Sequence, residues 1–112
     1  MGPLEVVGAF GTAWAAHDLS AAMAMISDDC VFEATGPAPD GTRCIGADAI
    51  RAVWKPILDD PGSRFEEEEI FLAGDRVVQR WRYHFDGGHV RGVDLFRVRD
   101  GKVAEKLSYV KG

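Results

Sequence analysis

Asp94 is the residue whose type and surroundings most directly suggest chemistry, because it lies among aromatic and apolar residues. A hairpin turn at Gly87-Gly88 would place Asp94 opposite Trp81. A second turn at Asp100-Gly101 would place it opposite Leu107. Burial of a carboxyl group without a partner favours the neutral acid, which can donate a hydrogen bond to a carbonyl or transfer a proton. We therefore predict a chemical role for Asp94. The alternative is a carboxylate at the open rim of the sheet or hydrogen-bonded to a helix end.

Alternation of side chains along the strands around Asp94 separates an apolar face from a basic face. A slip of one residue would bury arginines such as Arg80 and Arg82, at a large desolvation cost. The apolar face, together with apolar residues of the helices, predicts a pocket for a small apolar or aromatic molecule. The residues expected to line it are Phe10, Trp14, Phe32, Trp54, Gln79, Trp81, Tyr83, Phe96, Leu107 and Tyr109. Whether the three tryptophans fill the core or form pocket walls stays open at this point.

Three helices followed by hairpins must position these residues. Apolar residues at three- and four-residue steps predict helices over residues 4–16, 19–26 and 47–58, the second capped by Asp18. A strand is predicted over residues 30–34, and glycine-containing turns separate strands over 66–72, 77–85, 89–98 and 103–110. This order predicts one α+β domain over residues 1–112, with three N-terminal helices on a four- or five-stranded, mainly antiparallel sheet.

Composition excludes several classes of function. A net charge of -5 argues against non-specific nucleic-acid binding, which needs a positively charged surface. No apolar run approaches the ~20 residues of a membrane span, and the first residues lack the pattern of a signal peptide. We therefore expect a cytoplasmic protein that binds neither nucleic acid nor membrane. Cys30 and Cys44 show no metal-binding or redox spacing, which predicts no metal and no cofactor.

Several short motifs occur in an order that resembles a known superfamily. They are Trp14–Leu19, Cys30–Glu33, Gly46–Arg51, Ala73–Val78 and Val93–Lys102. Together with the element order, they are similar to the nuclear-transport-factor-2-like (NTF2-like) cone fold, in its SnoaL-like and ketosteroid-isomerase-like branch. The resemblance implies a cone-shaped apolar pocket, acid–base chemistry such as cyclisation, isomerisation or dehydration, and a homodimer formed through the sheet.

The resemblance to ketosteroid isomerases covers only part of their catalytic machinery. In those enzymes a tyrosine on the first helix and a late-strand aspartate bind the substrate oxygen, and a first-strand aspartate moves the proton. Asp94 matches the late-strand aspartate, but Phe10 and Ala34 occupy the other two positions. Glu33 would replace the missing base only if a bulge turned it inward. The resemblance therefore argues against true ketosteroid isomerisation.

SnoaL-like polyketide cyclases resemble the chain more closely, because they are thought to use one late-strand aspartate as acid and base. The Asp-Arg-Asp set of related epoxide hydrolases is not matched, since Arg91 is expected on the face opposite Asp94. We therefore predict proton transfer or hydrogen bonding by Asp94 on an apolar carbonyl compound. The alternative is a non-catalytic ligand-binding or dimerisation module of the same fold.

Overall fold

The computed structural model describes residues Met1–Gly112 as three helices and six strands. The helices are α1 (Pro3–Ala15), α2 (Leu19–Ala24) and α3 (Ala47–Leu58). The strands are β1 (Ile26–Glu33), β2 (Arg43–Ile45), β3 (Arg64–Ala73), β4 (Arg76–Phe85), β5 (Gly88–Arg99) and β6 (Lys102–Val110). The predicted α+β class, with N-terminal helices on a curved and mainly antiparallel sheet, is confirmed. No helix is long and apolar enough to cross a membrane.

The sheet has six strands in the order β2-β1-β6-β5-β4-β3, and only the β1–β6 pair is parallel. The prediction of four or five strands was wrong because β2 lies in the segment interpreted as a loop. Cys44 of β2 pairs with Phe32 of β1, and three residues are too few to show an alternating pattern. The helices cover one face of the sheet, here called the inner face, and the core lies between them.

Local sequence signals explain where the helices begin and end. Pro3 occupies the first turn of α1, where its missing N–H costs nothing, and α1 ends before His17, which has a φ of 57°. Asp18 caps α2 as predicted, since its Oδ1 accepts a hydrogen bond of 3.0 Å from the Ala21 N–H. This helix ends earlier than predicted because Ile26 already belongs to β1, where it pairs with Val103.

The hairpin between β4 and β5 turns at Asp86-Gly87, not at Gly87-Gly88 as predicted. Phe85 pairs with Gly88, and Trp81 therefore pairs with Gly92 instead of Asp94. A Cβ atom on Gly92 would lie 2.4 Å from the Trp81 ring, so this register requires glycine at the position that the indole covers. The register differs from the prediction by two residues, which leaves every side chain on its predicted face.

A bulge in the β5–β6 hairpin overturns the predicted placement of Leu107 and Tyr109. Val98 pairs with Val103, but the next residue, Arg97, pairs with Glu105, so β6 carries one additional residue. Beyond this bulge the two faces of β6 are exchanged relative to simple alternation. Leu107 and Tyr109 therefore lie on the outer face of the sheet, and Tyr109 is 52% exposed.

Candidate functional site

A cavity of about 260 Å³ opens between α1, the end of α3 and the inner face of the sheet. Its wall is mostly apolar, as the sequence predicts for a small-molecule pocket. The predicted residues that line it are Phe10, Trp14, Phe32, Gln79, Trp81, Tyr83 and Asp94. The same bulge that moves Leu107 and Tyr109 to the outer face brings Lys106 and Ser108 into the wall.

Trp54 and Phe96 lie in the core behind the cavity and do not line it. Both are completely buried. The Trp54 ring packs 5.2 Å from Trp14 and 5.5 Å from Phe10, and the Phe96 ring lies 5.8 Å from Phe10, measured between centroids. The structure thus shows which tryptophans belong to the core and which to the cavity wall, a question that the sequence left open. Trp54 fills the core, while Trp14 and Trp81 form walls, so the cone is not filled by aromatic side chains.

Asp94 is not a lone carboxyl group, because Lys106 lies beside it in the same wall. Lys106 Nζ is 3.1 Å from Asp94 Oδ2, and the two side chains are only 9% and 4% exposed. The ammonium group also donates a hydrogen bond of 3.0 Å to Ser108 Oγ. The expectation of a carboxyl group buried without a partner was therefore wrong, and the site is an ion pair.

Aromatic rings surround the ammonium group of Lys106. Its Nζ lies 4.9 Å from the centroid of Phe32 and 5.2 Å from that of Trp14. Cation–π attraction and the neighbouring carboxylate both offset the cost of removing this cation from water. The low polarity of the wall also strengthens any electrostatic interaction between the pair and a bound molecule.

Two polar atoms of the wall have no partner in the protein. Asp94 Oδ1 is a buried acceptor, and Trp81 Nε1 is a buried donor. Buried polar groups are hydrogen-bonded in the great majority of cases, so these two atoms are exceptions that call for an explanation. Both residues line the cavity through other atoms, since these two atoms are themselves buried.

Gln79 and Tyr83 contribute to the wall but use their polar atoms elsewhere. Gln79 Nε2 donates a 3.0 Å hydrogen bond to Glu67 Oε1, and the Tyr83 hydroxyl donates one of 3.0 Å to Ser63 Oγ. Gly11 lets α1 approach β4 closely, because a Cβ atom there would lie 2.9 Å from Gln79 Nε2. These contacts hold both side chains in place as walls.

The positions that correspond to the missing isomerase groups do face the cavity. Phe10 and Ala34 both line it, and neither carries a polar side-chain atom. Thr35 follows Ala34 in the loop after β1 and also lines the cavity. Glu33 does not replace the missing base, because it forms an ion pair of 2.6 Å with Arg43 away from the cavity.

Lys106 and Ser108 are the residues that sequence reasoning missed. Alternation along β6 favours Leu107 and Tyr109 as inner residues, and no local sequence pattern indicates the bulge in this hairpin. The one usable signal was Asp94 itself, because a buried carboxylate normally needs a cation as its partner. Lys106 is the lysine that a shift of one residue along β6 brings beside Asp94.

Other reactive side chains lie outside the cavity wall. Burial raises the pKa of the Cys30 thiol to about 12, so this cysteine stays protonated near neutral pH. His17 Nδ1 lies 2.9 Å from the Leu58 carbonyl oxygen, and His84 Nε2 lies 2.7 Å from Glu66 Oε1. None of these groups is placed to act on a molecule in the cavity.

Comparison with known proteins places the chain within one family. A family model described as a SnoaL-like domain matches residues 7–106. An NTF2-like protein of unknown function from Mesorhizobium loti is 46% identical, with a TM-score of 0.88 over 96% of this chain and 89% of that one. No curated protein matches.

More distant structures share the fold. A provisionally assigned polyketide cyclase from Sinorhizobium meliloti is 24% identical, with a TM-score of 0.79 over 93% of both chains. An LEH-like epoxide hydrolase from M. tuberculosis is 21% identical, with a TM-score of 0.74 over 96% of this chain and 81% of that one. At these identities the likeness concerns the fold alone.

Proposed function

The chain belongs to the SnoaL-like family, and we propose that it is an enzyme that performs acid–base chemistry on a small, largely apolar carbonyl compound. Asp94 is the proton-transfer or hydrogen-bonding group, and the reaction is a cyclisation, an isomerisation or a dehydration. The observation that carries this proposal is the ion pair of Asp94 and Lys106 in the wall of an apolar cavity. Both residues line the cavity, and both side chains are almost completely buried.

The two charged groups suit the two sites of an enolisation. The Asp94 carboxylate accepts a proton from the carbon next to the carbonyl group. Negative charge then develops on the carbonyl oxygen, and the Lys106 ammonium group stabilises that charge in a wall of low polarity. The cation is fixed by Ser108 and the surrounding rings, so it needs little reorganisation when the charge appears.

One carboxylate must serve both proton transfers. Phe10 and Ala34 line the cavity without polar side-chain atoms, and the phenol of Tyr83 in the wall donates its hydrogen bond to Ser63. Asp94 therefore takes a proton from one position and returns it to another, or to the product of a ring closure. This arrangement suits rearrangements in which a proton is moved within one molecule.

Proton exchange provides a test that does not require the natural substrate. Cyclic ketones incubated with the protein in D₂O are followed by NMR for loss of the protons next to the carbonyl. We expect catalysed exchange by the wild type and a loss of about 100- to 10,000-fold in Asp94→Asn, the range for removal of a general base. Equal exchange by both proteins would contradict the proposal.

A second variant covers the risk that Asp94→Asn does not fold. In Asp94→Leu/Lys106→Met both charges are removed together, so no buried charge is left unpaired. This double variant must also lose exchange, while Glu33→Gln, altered on the same fold but away from the cavity, must keep it. Exchange that survives in the double variant would overturn the role of Asp94.

A non-catalytic ligand-binding or dimerisation module is the second candidate. The apolar side chains of Phe10 and Ala34 favour it, because they remove two of the three polar groups of the related isomerases. A module of this kind would bind ketones without accelerating exchange. Binding without exchange across the whole panel would therefore favour this candidate over the enzyme.

Homodimerisation through the sheet is also part of our proposal. Its support is an apolar row across the outer face, in which Phe71 pairs with Val78, Val78 with Leu95, and Leu95 with Leu107. Light scattering would give twice the 12.2 kDa of one chain for a dimer, and Leu95→Glu would reduce it to one chain. A single-chain mass for the wild type at micromolar concentration would contradict it.

A further inference from the structure

Lys106 differs from the other lysines of the chain because its side chain is buried. Lys55, Lys102 and Lys111 are exposed, whereas the Lys106 side chain keeps only 9% of its accessible surface. Lysine is almost never fully buried unless it is paired. A lysine in an apolar pocket is also the residue type that enzymes use to bond covalently to carbonyl compounds. The amine of Lys106 is therefore a candidate nucleophile in the cavity wall.

The ammonium group of Lys106 lies nearer to the aromatic rings of the cavity wall than to those of the core. Its Nζ is 4.9 Å from the centroid of Phe32 and 5.2 Å from that of Trp14, and both rings line the cavity. The core rings of Trp54 and Phe96 are farther away, at 5.9 and 6.0 Å. Since Lys106 itself lines the cavity, a carbonyl compound that packs on the wall rings comes next to this side chain.

Asp94 provides the proton acceptor that the amine needs. An ammonium group has no free electron pair, so it must lose a proton before it attacks a carbonyl carbon. Asp94 Oδ2 lies 3.1 Å from Nζ, which allows direct transfer. The transfer converts two buried charges into two neutral groups, and an apolar wall opposes neutral groups far less than charges. Ser108 Oγ, 3.0 Å from Nζ, keeps the nitrogen in position.

The surroundings of Lys106 also suit the product of such an attack. An iminium carries its positive charge at the same nitrogen as the ammonium group. The Asp94 carboxylate and the rings of Phe32 and Trp14 therefore stabilise the product as they stabilise the free side chain. The net charge of the wall is thus the same before and after the reaction.

We propose that Lys106 captures an apolar aldehyde covalently as an iminium. The Lys106 ammonium group gives a proton to Asp94, and the free electron pair of Nζ forms a bond to the carbonyl carbon. The carbonyl π electrons move to the oxygen, which takes the proton back from Asp94. A second N–H proton then passes through Asp94 to the hydroxyl group. The C–O bond breaks with loss of water, and the nitrogen electron pair forms the C=N bond.

The cavity limits the aldehydes that can react. A volume of about 260 Å³ with a mostly apolar wall suits one ring with a short substituent. An aldehyde carbon carries a single substituent, so it can approach a nitrogen that is enclosed by side chains more easily than a ketone carbon can. The inference goes beyond the proposed function, in which Lys106 acts through its charge alone. It rests on that function only for the entry of a carbonyl compound into the cavity.

Reductive trapping with peptide mapping tests the proposal on the wild type. The protein is incubated with benzaldehyde and cyanoborohydride, whose hydride adds to the iminium carbon and fixes the adduct as a secondary amine. Mass spectrometry then gives the labelling rate of each lysine. Lys55 is the matched control within the chain, because it pairs with Asp59 at 2.5 Å but is 57% exposed. We expect Lys106 to be labelled at least about 100-fold faster than Lys55, the lower range for a positioned acid–base group. A buried lysine with a purely structural role would be labelled more slowly than Lys55, and that order would overturn the proposal.

Two comparison compounds show whether the cavity causes this preference. Glyoxylate carries a charge that the apolar wall disfavours, so it should label Lys55 faster than Lys106. Benzyl alcohol has the shape of the probe without its carbonyl group, and an excess of it should slow the labelling of Lys106 but not that of Lys55. Labelling of Lys106 that ignores benzyl alcohol would contradict capture within the cavity.

Two aspartate variants test the proton acceptor. Asp94→Asn should slow the labelling of Lys106 by about 100-fold or more, because the amide cannot accept the proton. Asp59→Asn should change the labelling of Lys55 by less than about twofold, since an exposed ion pair contributes little. In Asp94→Leu/Lys106→Met the rapid labelling phase should be absent. A rapid phase in this double variant, or an unchanged rate in folded Asp94→Asn, would contradict the proposed step.

The labelling and exchange experiments can fail separately. An adduct on Lys106 without catalysed proton exchange would leave the capture of aldehydes standing and defeat the proposed enzyme. Exchange that depends on Asp94, with Lys106 labelled no faster than Lys55, would overturn the covalent role of Lys106 and leave the enzyme standing.

Discussion

Asp94 and Lys106 are paired at 3.1 Å in the wall of the cavity, although simple alternation from the β5–β6 turn would place them on opposite faces. The bulge between the pairs Val98–Val103 and Arg97–Glu105 makes this contact. It converts an acidic residue in an apolar environment into a compact pair of opposite charges. The position of one additional residue in β6 thus determines which charged groups line the cavity.

The free energy of unfolding should depend on whether one or both charges of the ion pair are removed. Asp94→Asn leaves the Lys106 cation buried and unpaired, and should lower the free energy of unfolding by about 3–5 kcal/mol. Asp94→Leu/Lys106→Met removes both charges and should lie within about 1 kcal/mol of the wild type or above it. Urea denaturation measures both values. Equal losses in the two variants would contradict a buried, mutually compensating pair.

Gly92 should be intolerant of any side chain. In Gly92→Ala the new Cβ atom would meet both the Trp81 ring and the Tyr109 carbonyl oxygen at 2.4 Å, so the indole or the strand must move. We expect a loss of about 1–3 kcal/mol, the usual cost of overpacking, together with a changed fluorescence of Trp81.

Gly8 offers the matched control for that substitution. It lies within α1, and a Cβ atom there would meet nothing within 4 Å. Gly8→Ala should therefore stabilise the protein by about 0.5–1 kcal/mol, because alanine is the better helix former. Thermal unfolding of the two variants side by side measures the difference. A tolerated Gly92→Ala would mean that Trp81 does not lie across β5 as described.

Cys30 should be unreactive in the folded protein and should make stability sensitive to alkaline pH. Burial raises its pKa to about 12 from the usual value of 9.0. Because the folded pKa is the higher one, this contribution to stability is complete below that usual value, and it is lost as the pH rises towards 12. Alkaline denaturation of wild type and Cys30→Ala measures it, and the difference should shrink as the pH rises.

Thiol labelling provides an independent measure of the burial of Cys30. In a Cys44→Ala background only Cys30 can react, and its labelling at pH 8 should follow the rate of unfolding. Rapid labelling of the native protein would contradict the burial of this thiol.

Glu68 should contribute to stability at neutral pH but not in acid. The hydrogen bond from Arg91 lowers the pKa of Glu68 below its usual value, and the charge of Arg91 adds to this effect. A lowered folded pKa means that stability is present above the ordinary value of 4.5 and is lost as the pH falls through the folded value. Glu68→Gln should therefore be less stable than wild type at pH 7 and equal to it near pH 2. A difference that is unchanged at low pH would contradict this account.

The sequence allowed the fold to be predicted because several independent signals agreed. The helix over residues 47–58 follows directly from its apolar period, and α2 follows from the cap at Asp18. Arginines such as Arg80 and Arg82 marked the outer face of the sheet, because burying them would be costly. An error of two residues in the β4–β5 register did not matter, since it preserves the faces.

The site was predicted only in part, because it depends on a local irregularity. Asp94 and the aromatic walls were found from residue type and alternation. Lys106 and Ser108 were missed, since a bulge exchanges the faces of a strand without a local sequence signal. The core position of Trp54 could not be predicted either. Trp14 and Trp54 follow a similar apolar periodicity on their helices and differ only in their tertiary neighbours.

The most direct test of the account is the initial rate at which the protein exchanges the α-protons of a neutral cyclic ketone in D₂O. If Asp94 transfers protons in the cavity, the wild type accelerates this exchange and Asp94→Leu/Lys106→Met does so at least about 100-fold less, although it remains folded. Equal rates in the two folded proteins would contradict the central claim and leave a binding module as the function of this fold.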